Sequence, residues 1–489
     1  MVCTCFTACG SKGGNENAPV VVNVGLQIIP TSLNCLEDDT TGAMTIAWCI
    51  YDRLIDFDNS GSWQPNIATS WEKVGDRTWN FEIDLSKAKF QNGDALTMED
   101  IEYSILRLKD FPKSADTGNK VESVSSEGNT LSITFVDNDN SSPTSVLWAA
   151  VIVDKKYIEE SGDDAIYIKP VGTGPWKVTE FVPTTSCKVE TWDGYAQEKP
   201  QIDVLNFTSL PEATTRYVAV ETEQVQLADM MGQTEEELAA ENDNLSVLTT
   251  SSTTAMCFLM TTHKAPFDNP NVRRAMMYAM DTESMVELEK ALPVKSMIFG
   301  GNEQYYKESD LLPEYNLEKA KELLAAEGYD ESNPLNFELV STVSRASMEL
   351  LQADLLKIGV NMSINVMEFA AYLPLEQSGD FDMAFMGQSA RGNHPLTDLN
   401  RIDANYIPGR NITRYENPEV QEKVEKMYVT DDMDELMKLD QEINDILATD
   451  VPSLPAYLLV NRAIMDKNLT GIEMDATGRV FFRNAVYNP

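Results

Sequence analysis

This chain has little histidine, no paired-cysteine motif and no long apolar run. Its two histidines, His263 and His394, are far apart in 489 residues. Neither has a cysteine or second histidine at ligand spacing, so no metal cluster is expected. The seven cysteines are Cys3, Cys5, Cys9, Cys35, Cys49, Cys187 and Cys257. The four after Cys9 are scattered without a CxxC pair. A Cys35–Cys49 disulfide stays open from sequence, and buried free thiols are the expectation. No stretch of about 18 apolar residues exists, so no membrane-spanning helix is expected. Gly172-Thr173-Gly174-Pro175 lacks the Lys and Ser/Thr of a phosphate-cradling loop. No nucleophile, base or metal cluster is set out as an enzyme would need, so neither catalysis nor a cofactor is expected. Basic residues are also scarce: 38 Lys and Arg stand against 78 Asp and Glu, a formal net charge of −40. Such a surface stays soluble and repels nucleic acid and anionic lipid. It does not specify a cationic ligand, because net charge belongs to the surface and ligand choice to one cleft.

Hydrophobic residues make up 43% of the chain, enough for two or three packed units. Val20 to Leu26 is a β-branched apolar run that predicts a buried strand. From 56 to 150 the pattern is short strands and turns. Trp79-Asn80-Phe81-Glu82-Ile83 alternates, as does Leu131 to Phe135 after the Glu127-Gly128-Asn129 turn. Thr97 caps a predicted helix over Glu99–Leu108. From Asp268 helices alternate with strands. Asn269 with Pro270, Asn316, and Asn417 with Pro418 open helices, and a further helix is predicted over about 432–448. Ala346–Ile358 is helical between predicted strands at Phe337–Val343 and Met362–Val366, and Phe381–Gly387 is a further strand. Strand–helix–strand units of this kind imply a mainly parallel sheet.

Trp48 to Leu108 carries the most information. It holds Tyr51-Asp52-Arg53-Leu54, Pro65 with Ala68-Thr69-Ser70-Trp71, Trp79-Asn80-Phe81, and Phe90-Gln91-Asn92-Gly93 followed by Leu96-Thr97 and Glu99-Asp100-Ile101. Gly172-Thr173-Gly174-Pro175-Trp176-Lys177-Val178 is a second block. Asn271-Val272-Arg273-Arg274-Ala275 with Tyr278-Ala279-Met280-Asp281 is a third. In this order the blocks resemble the extracellular solute-binding proteins of the peptide/nickel group, family 5, which feed ABC importers. The resemblance implies an α/β, two-lobed periplasmic-binding-protein-like fold (type II, cluster C) with an extra subdomain in lobe one. With the change of pattern, it divides the chain into 1–19 as signal remnant and tether, 20–255 as lobe one with an insert at about 56–170, 256–462 as lobe two, and 463–489 returning to lobe one. Crossing strands are expected near Thr254–Leu259 and Pro455–Val460. The implied activity is binding a peptide or peptide-like solute between the lobes, as a monomer, and delivery to permease subunits. An anionic solute or a metal chelate is the alternative ligand; a sensory or adhesive surface lipoprotein is the alternative role.

Ligands of open α/β sheets sit beyond the carboxyl ends of strands. Two such ends can be named in lobe two: the loop carrying Arg345, and the loop of Gln388, Ser389, Arg391 and His394. In the peptide-binding members that the second loop resembles, a tryptophan falls where Gln388 stands. An aspartate that pairs with the peptide ammonium falls where Arg391 stands. Arginine there points instead to a carboxylate. Gln27, at the end of the first strand, and Trp148 complete the candidate ligand-binding set, and Trp48 is a further cleft candidate. Trp63, Trp71, Trp79 and Trp192 are expected in cores. Phe6 to Ser11 resembles a lipobox around Cys9, with the polar run Ser11–Ala18 as tether. Lipidation of Cys9 and an extracytoplasmic, membrane-anchored location follow from that resemblance. Only eight residues precede Cys9, so the basic and apolar start of a signal peptide is expected to be missing.

Overall fold

The computed structural model describes residues 18–57, 62–138, 141–162, 164–298, 307–389, 396, 399–407, 409–430 and 432–489. One ten-stranded sheet runs through the molecule. Its order is Val360–Val366, Leu335–Ser341, Met383–Ser389, Leu245–Met260, Ser453–Asp466, Leu227–Ala228, Val21–Leu26, Val204–Ser209, Ser186–Thr191 and Trp176–Val182. The first three are mutually parallel, as the alternation of helices and strands after Asp268 implies. Val21–Leu26 is parallel to both its neighbours.

The two long antiparallel strands in the middle join the halves. Leu245–Ser251 pairs with Asp466–Val460, and Ala255–Leu259 with Leu458–Ser453. The register shifts between Ser251 and Ala255, where extra residues on one strand bend the ladder. Buried apolar residues gather separately on either side. One core packs Val22, Val24, Leu26, Ile46, Ile50, Trp176 and Phe207. Another packs Phe258, Met260, Met276, Leu339, Leu351, Met383 and Phe385.

Residues within 68–135 form a separate four-stranded antiparallel sheet, ordered Ala68–Lys73, Thr78–Ile83, Thr130–Phe135, Val121–Glu127. Alternation buries Phe81 and Ile83 while Glu82 faces out. On the next strand Leu131, Ile133 and Phe135 are buried. Trp63 packs its ring against Trp71 and Trp79, at 5.5 and 5.3 Å between centroids.

Helix starts follow their caps. Thr97 and Asp100 form a reciprocal capping box on Met98–Leu106, a device that contributes about 1 kcal/mol. Asn269 caps Pro270–Ala279, Asn316 caps Leu317–Ala326 and Asn417 caps Pro418–Tyr428, each through its side chain. Cys35, Cys49, Cys187 and Cys257 are buried free thiols. His263 is exposed. No helix among the described residues is long and apolar enough to cross a membrane.

Candidate functional site

The segment Tyr51–Leu54 is held by motifs from distant parts of the chain. It follows the helix Thr41–Ile50 and is clamped from behind by the turn Gly172-Thr173-Gly174. The amide of Gly174 donates to the Ile50 carbonyl at 2.9 Å, and the Asp52 amide donates to Thr173 Oγ1 at 3.2 Å. The approach is too close for a side chain. A Cβ on Gly172 would lie 2.1 Å from the Ile50 oxygen, and one on Gly174 would lie 2.7 Å from the Ile50 carbonyl carbon. Gln91 closes the junction. Its Nε2 donates to Ile50 O at 2.9 Å and to Trp176 O at 2.7 Å. The Phe90-Gln91-Asn92-Gly93 and Gly172–Val178 blocks therefore act through structure: they fix where Asp52 and Arg53 point.

Those two residues face a cavity of about 670 Å³, within the ordinary range for small-ligand sites. Its walls are Trp48, Asp52, Arg53, Asp56, Phe57 and Trp148 on one side and the C-terminal hairpin on another, with Glu473, Asp475, Phe481 and Arg483. The crossing strands supply Thr249, Thr250, Ser251 and Val460, and Leu292, bridged to Leu458, completes that side. The hairpin is tied to the crossing strands at their register shift. Thr250 Oγ1 donates to Asp475 O at 3.1 Å, and the Thr253 amide donates to Ala476 O at 2.9 Å.

Charge in this wall is largely desolvated. Asp52 is 2% exposed, and Arg483 Nη2 donates to its Oδ1 at 2.5 Å. Burial pushes the Asp52 carboxyl above the usual carboxylate range, with Arg483 pulling it back in part. Burial works to lower Arg483, but Asp52, Tyr195 and Asp56 together outweigh it and hold Arg483 above its ordinary range. Arg53 is 7% exposed, and burial lowers its pKa against the pull of Asp56. Its guanidinium carbon lies 4.3, 4.6 and 5.1 Å from the ring centroids of Trp48, Trp148 and Phe57. Cation–π contact of this kind stabilises the charge without supplying an acceptor.

Buried polar atoms without a hydrogen-bond partner include Arg53 Nη1, Trp48 Nε1, Asp52 Oδ2 and Asp475 Oδ2 on lining residues, and Arg479 Nε outside the lining. Burying such groups unpaired is costly. Four of them are on residues that line the cavity, so that wall carries both donors and acceptors.

The sequence-derived candidates divide. Trp148 lines the cavity, as does Trp48. Gln27 is exposed and outside the lining, its amide donating to Asp229 Oδ1 at 2.7 Å. Arg345 is an exposed residue whose Nη1 lies 3.7 Å from Glu289 Oε2. Gln388 is buried beside a smaller cavity of about 40 Å³ with Cys257, Arg401 and Arg410. Ser389 shares a 2.7 Å hydrogen bond with Thr254, three residues along the crossing strand from cavity-lining Ser251. Arg391, His394 and Cys9 lie outside the described residues. Among the described residues, no group of three or more His, Cys, Asp and Glu is placed to hold a metal ion. The cavity residues Asp52, Arg53, Asp475 and Arg483 were not singled out as ligand candidates. A signal existed: Trp48 to Phe57 sets one cation in a mainly apolar, aromatic run.

A central sheet crossed by two long strands, with a cavity beside them carrying both donors and acceptors, is the architecture of a two-lobed solute-binding protein. Residues 62–407 match the model of the bacterial extracellular solute-binding proteins, family 5, and the chain belongs to that family. It is 24% identical to the periplasmic oligopeptide-binding protein OppA of Haemophilus influenzae, over 96% of this chain and 94% of that protein. It is 23% identical to the oligopeptide-binding protein OppA of Bacillus subtilis, over 99% and 97%. Among solved structures, HbpA2 from Haemophilus parasuis superposes with a TM-score of 0.87 at 21% identity, covering 96% of this chain and all of that one. That likeness shows the fold expected from the family blocks. The family is one of solute-binding proteins, not enzymes.

Proposed function

We propose that this protein is the extracytoplasmic substrate-binding component of an ABC importer that carries a peptide or peptide-like small solute. The observation that supports it most is the cavity at the crossing strands with its unpartnered donors and acceptors. A peptide brings both kinds of group, amide and ammonium donors with carbonyl and carboxylate acceptors. Among the lining residues the carboxylates of Asp52, Asp56, Glu473 and Asp475 outnumber the guanidinium groups of Arg53 and Arg483. A multiply anionic solute would meet net repulsion there, whereas a zwitterion brings no net charge. Relatives named as oligopeptide- and dipeptide-binding proteins point the same way.

In this reading the lobes, 20–255 with its insert at 56–170 and 256–462, close about the crossing strands, and 463–489 stays with lobe one. Ligand binding favours the closed form, which the permease subunits recognise. The chain works as a monomer without a cofactor, and a lipid on Cys9 holds it to the outer face of the membrane. The test is native mass spectrometry of the protein purified without refolding. Co-purifying masses that fragment as short peptides are expected. A polyanion or a metal chelate in their place contradicts the reading.

A further inference from the structure

We propose that Arg53 is the residue by which the lobe-one wall reads the C-terminal carboxylate of a bound short peptide; this rests on the peptide reading above. Arg53 lines the cavity and is more than nine-tenths buried. Three aromatic rings hold its guanidinium in place, so its direction is set before any ligand arrives. The rings accept no conventional hydrogen bond. Nη2 has one long contact, 3.4 Å to Asp56, and Nη1 has no acceptor. Trp48 Nε1, on another lining residue, has no acceptor either, nor has Nε of Arg479, which stands outside the lining beside the Trp148 indole. The Trp48 ring lies 6.2 Å from that of Trp148, and the Arg479 guanidinium carbon 6.0 Å from it. Arg53 Nη1 and Trp48 Nε1 are unmatched donors on lining residues beside one another, and a group with two accepting oxygens meets both. An ionised carboxylate has two such oxygens and matches the planar fork of a guanidinium.

The nearby carboxylates do not fill that role. Asp52 is engaged by Arg483 at 2.5 Å, and Asp56 is 38% exposed and reaches Arg53 only at 3.4 Å. A terminal carboxylate is common to every unmodified peptide, so a reader of the terminus leaves side chains free to vary. The apolar part of the lining, with Phe57, Leu292, Val460 and Phe481, suits that tolerance.

The experiment titrates the ligand-stripped protein by calorimetry with a pool of tripeptides bearing free C-termini, and with the same pool as C-terminal amides. The wild type is expected to bind the acids at least about tenfold more tightly. In Arg53→Gln the ratio is expected to fall towards one, with folding checked by circular dichroism and melting. Arg53→Lys keeps the charge and the ring contacts but loses the fork, so it is expected to fall between; it carries the test if Arg53→Gln does not fold. Equal binding of acids and amides by the wild type overturns the proposal and leaves the peptide reading standing. Binding of neither pool overturns both. Selectivity that survives Arg53→Gln but disappears in Arg391→Gln moves the role to lobe two and overturns the assignment to Arg53.

Discussion

On the lobe-one wall of the cavity, Arg53 is buried among three rings with a donor unmatched, and Asp52 lies beneath Arg483 with one oxygen unmatched. At the strand ends of lobe two, Arg345 stands 44% exposed beside Glu289, and Ser389 bonds its neighbour Thr254. The first set is buried with polar atoms unmatched by protein; the second is solvated or satisfied. An ion pair or hydrogen bond is worth more where water is excluded. On the proposed reading, the energy of ligand recognition among the described residues comes from Tyr51–Phe57 and the C-terminal hairpin.

Removing Arg483 should break that contrast most severely. Arg483→Ala leaves Asp52 buried without its cation, and such uncompensated charges cost about 3–5 kcal/mol. A third of the Arg483 side chain is exposed, which places the loss near the lower end. Denaturant unfolding would read it. Adding Asp52→Asn should restore most of the stability.

Gly172→Ala comes next, at about 2–3 kcal/mol, because its Cβ meets the Ile50 carbonyl oxygen 2.1 Å away, a backbone atom with little room to yield. Peptide binding should weaken with it, since Asp52 and Arg53 are carried on the displaced segment. A melt and a titration on the same sample separate the two effects.

Asp440 sharpens the comparison from lobe two. It is 4% exposed in the helix Met433–Asp450, outside the cavity lining, and its Oδ1 has no partner. Burial raises its pKa from 3.8 to about 7. The folded state thus keeps a proton that the unfolded chain releases, and this contribution to stability is lost as pH rises from about 4 to about 7. Asp440→Asn should flatten that decline and gain about 2 kcal/mol at pH 8, leaving peptide affinity unchanged. A pH series of melts on both proteins checks it. The smallest effect is expected for Arg345→Ala. An exposed ion pair at 3.7 Å contributes at most about 0.5 kcal/mol, and titration should show unaltered peptide binding.

Much of this architecture could be read from the chain because local signals were strong. Asn269 with Pro270, Asn316, and Thr97 with Asp100 start helices where their side chains cap amides. Other elements gave no such signal. Thr41–Ile50 is buried on every side, so it has no polar stripe to reveal a helical period. Phe369–Ser378 carries Pro374 inside it, which reads as a breaker. The strand expected at Phe337–Val343 runs over Leu335–Ser341. Trp48 and Trp148 line the 670 Å³ cavity. The ion pair at its centre was not legible. Asp52 and Arg483 are 431 positions apart and meet only because the C-terminal hairpin packs beside the Thr41–Ile50 helix.

Hydrogen exchange with mass spectrometry tests the central claim most directly, comparing the ligand-stripped protein with the same protein saturated by its tightest-binding tripeptide. The account predicts the strongest new protection in peptides covering Trp48–Phe57 and Glu473–Asn484, with less across the crossing strands. Protection concentrated around Gln388, Arg401 and Arg410, with Trp48–Phe57 unchanged, would contradict it.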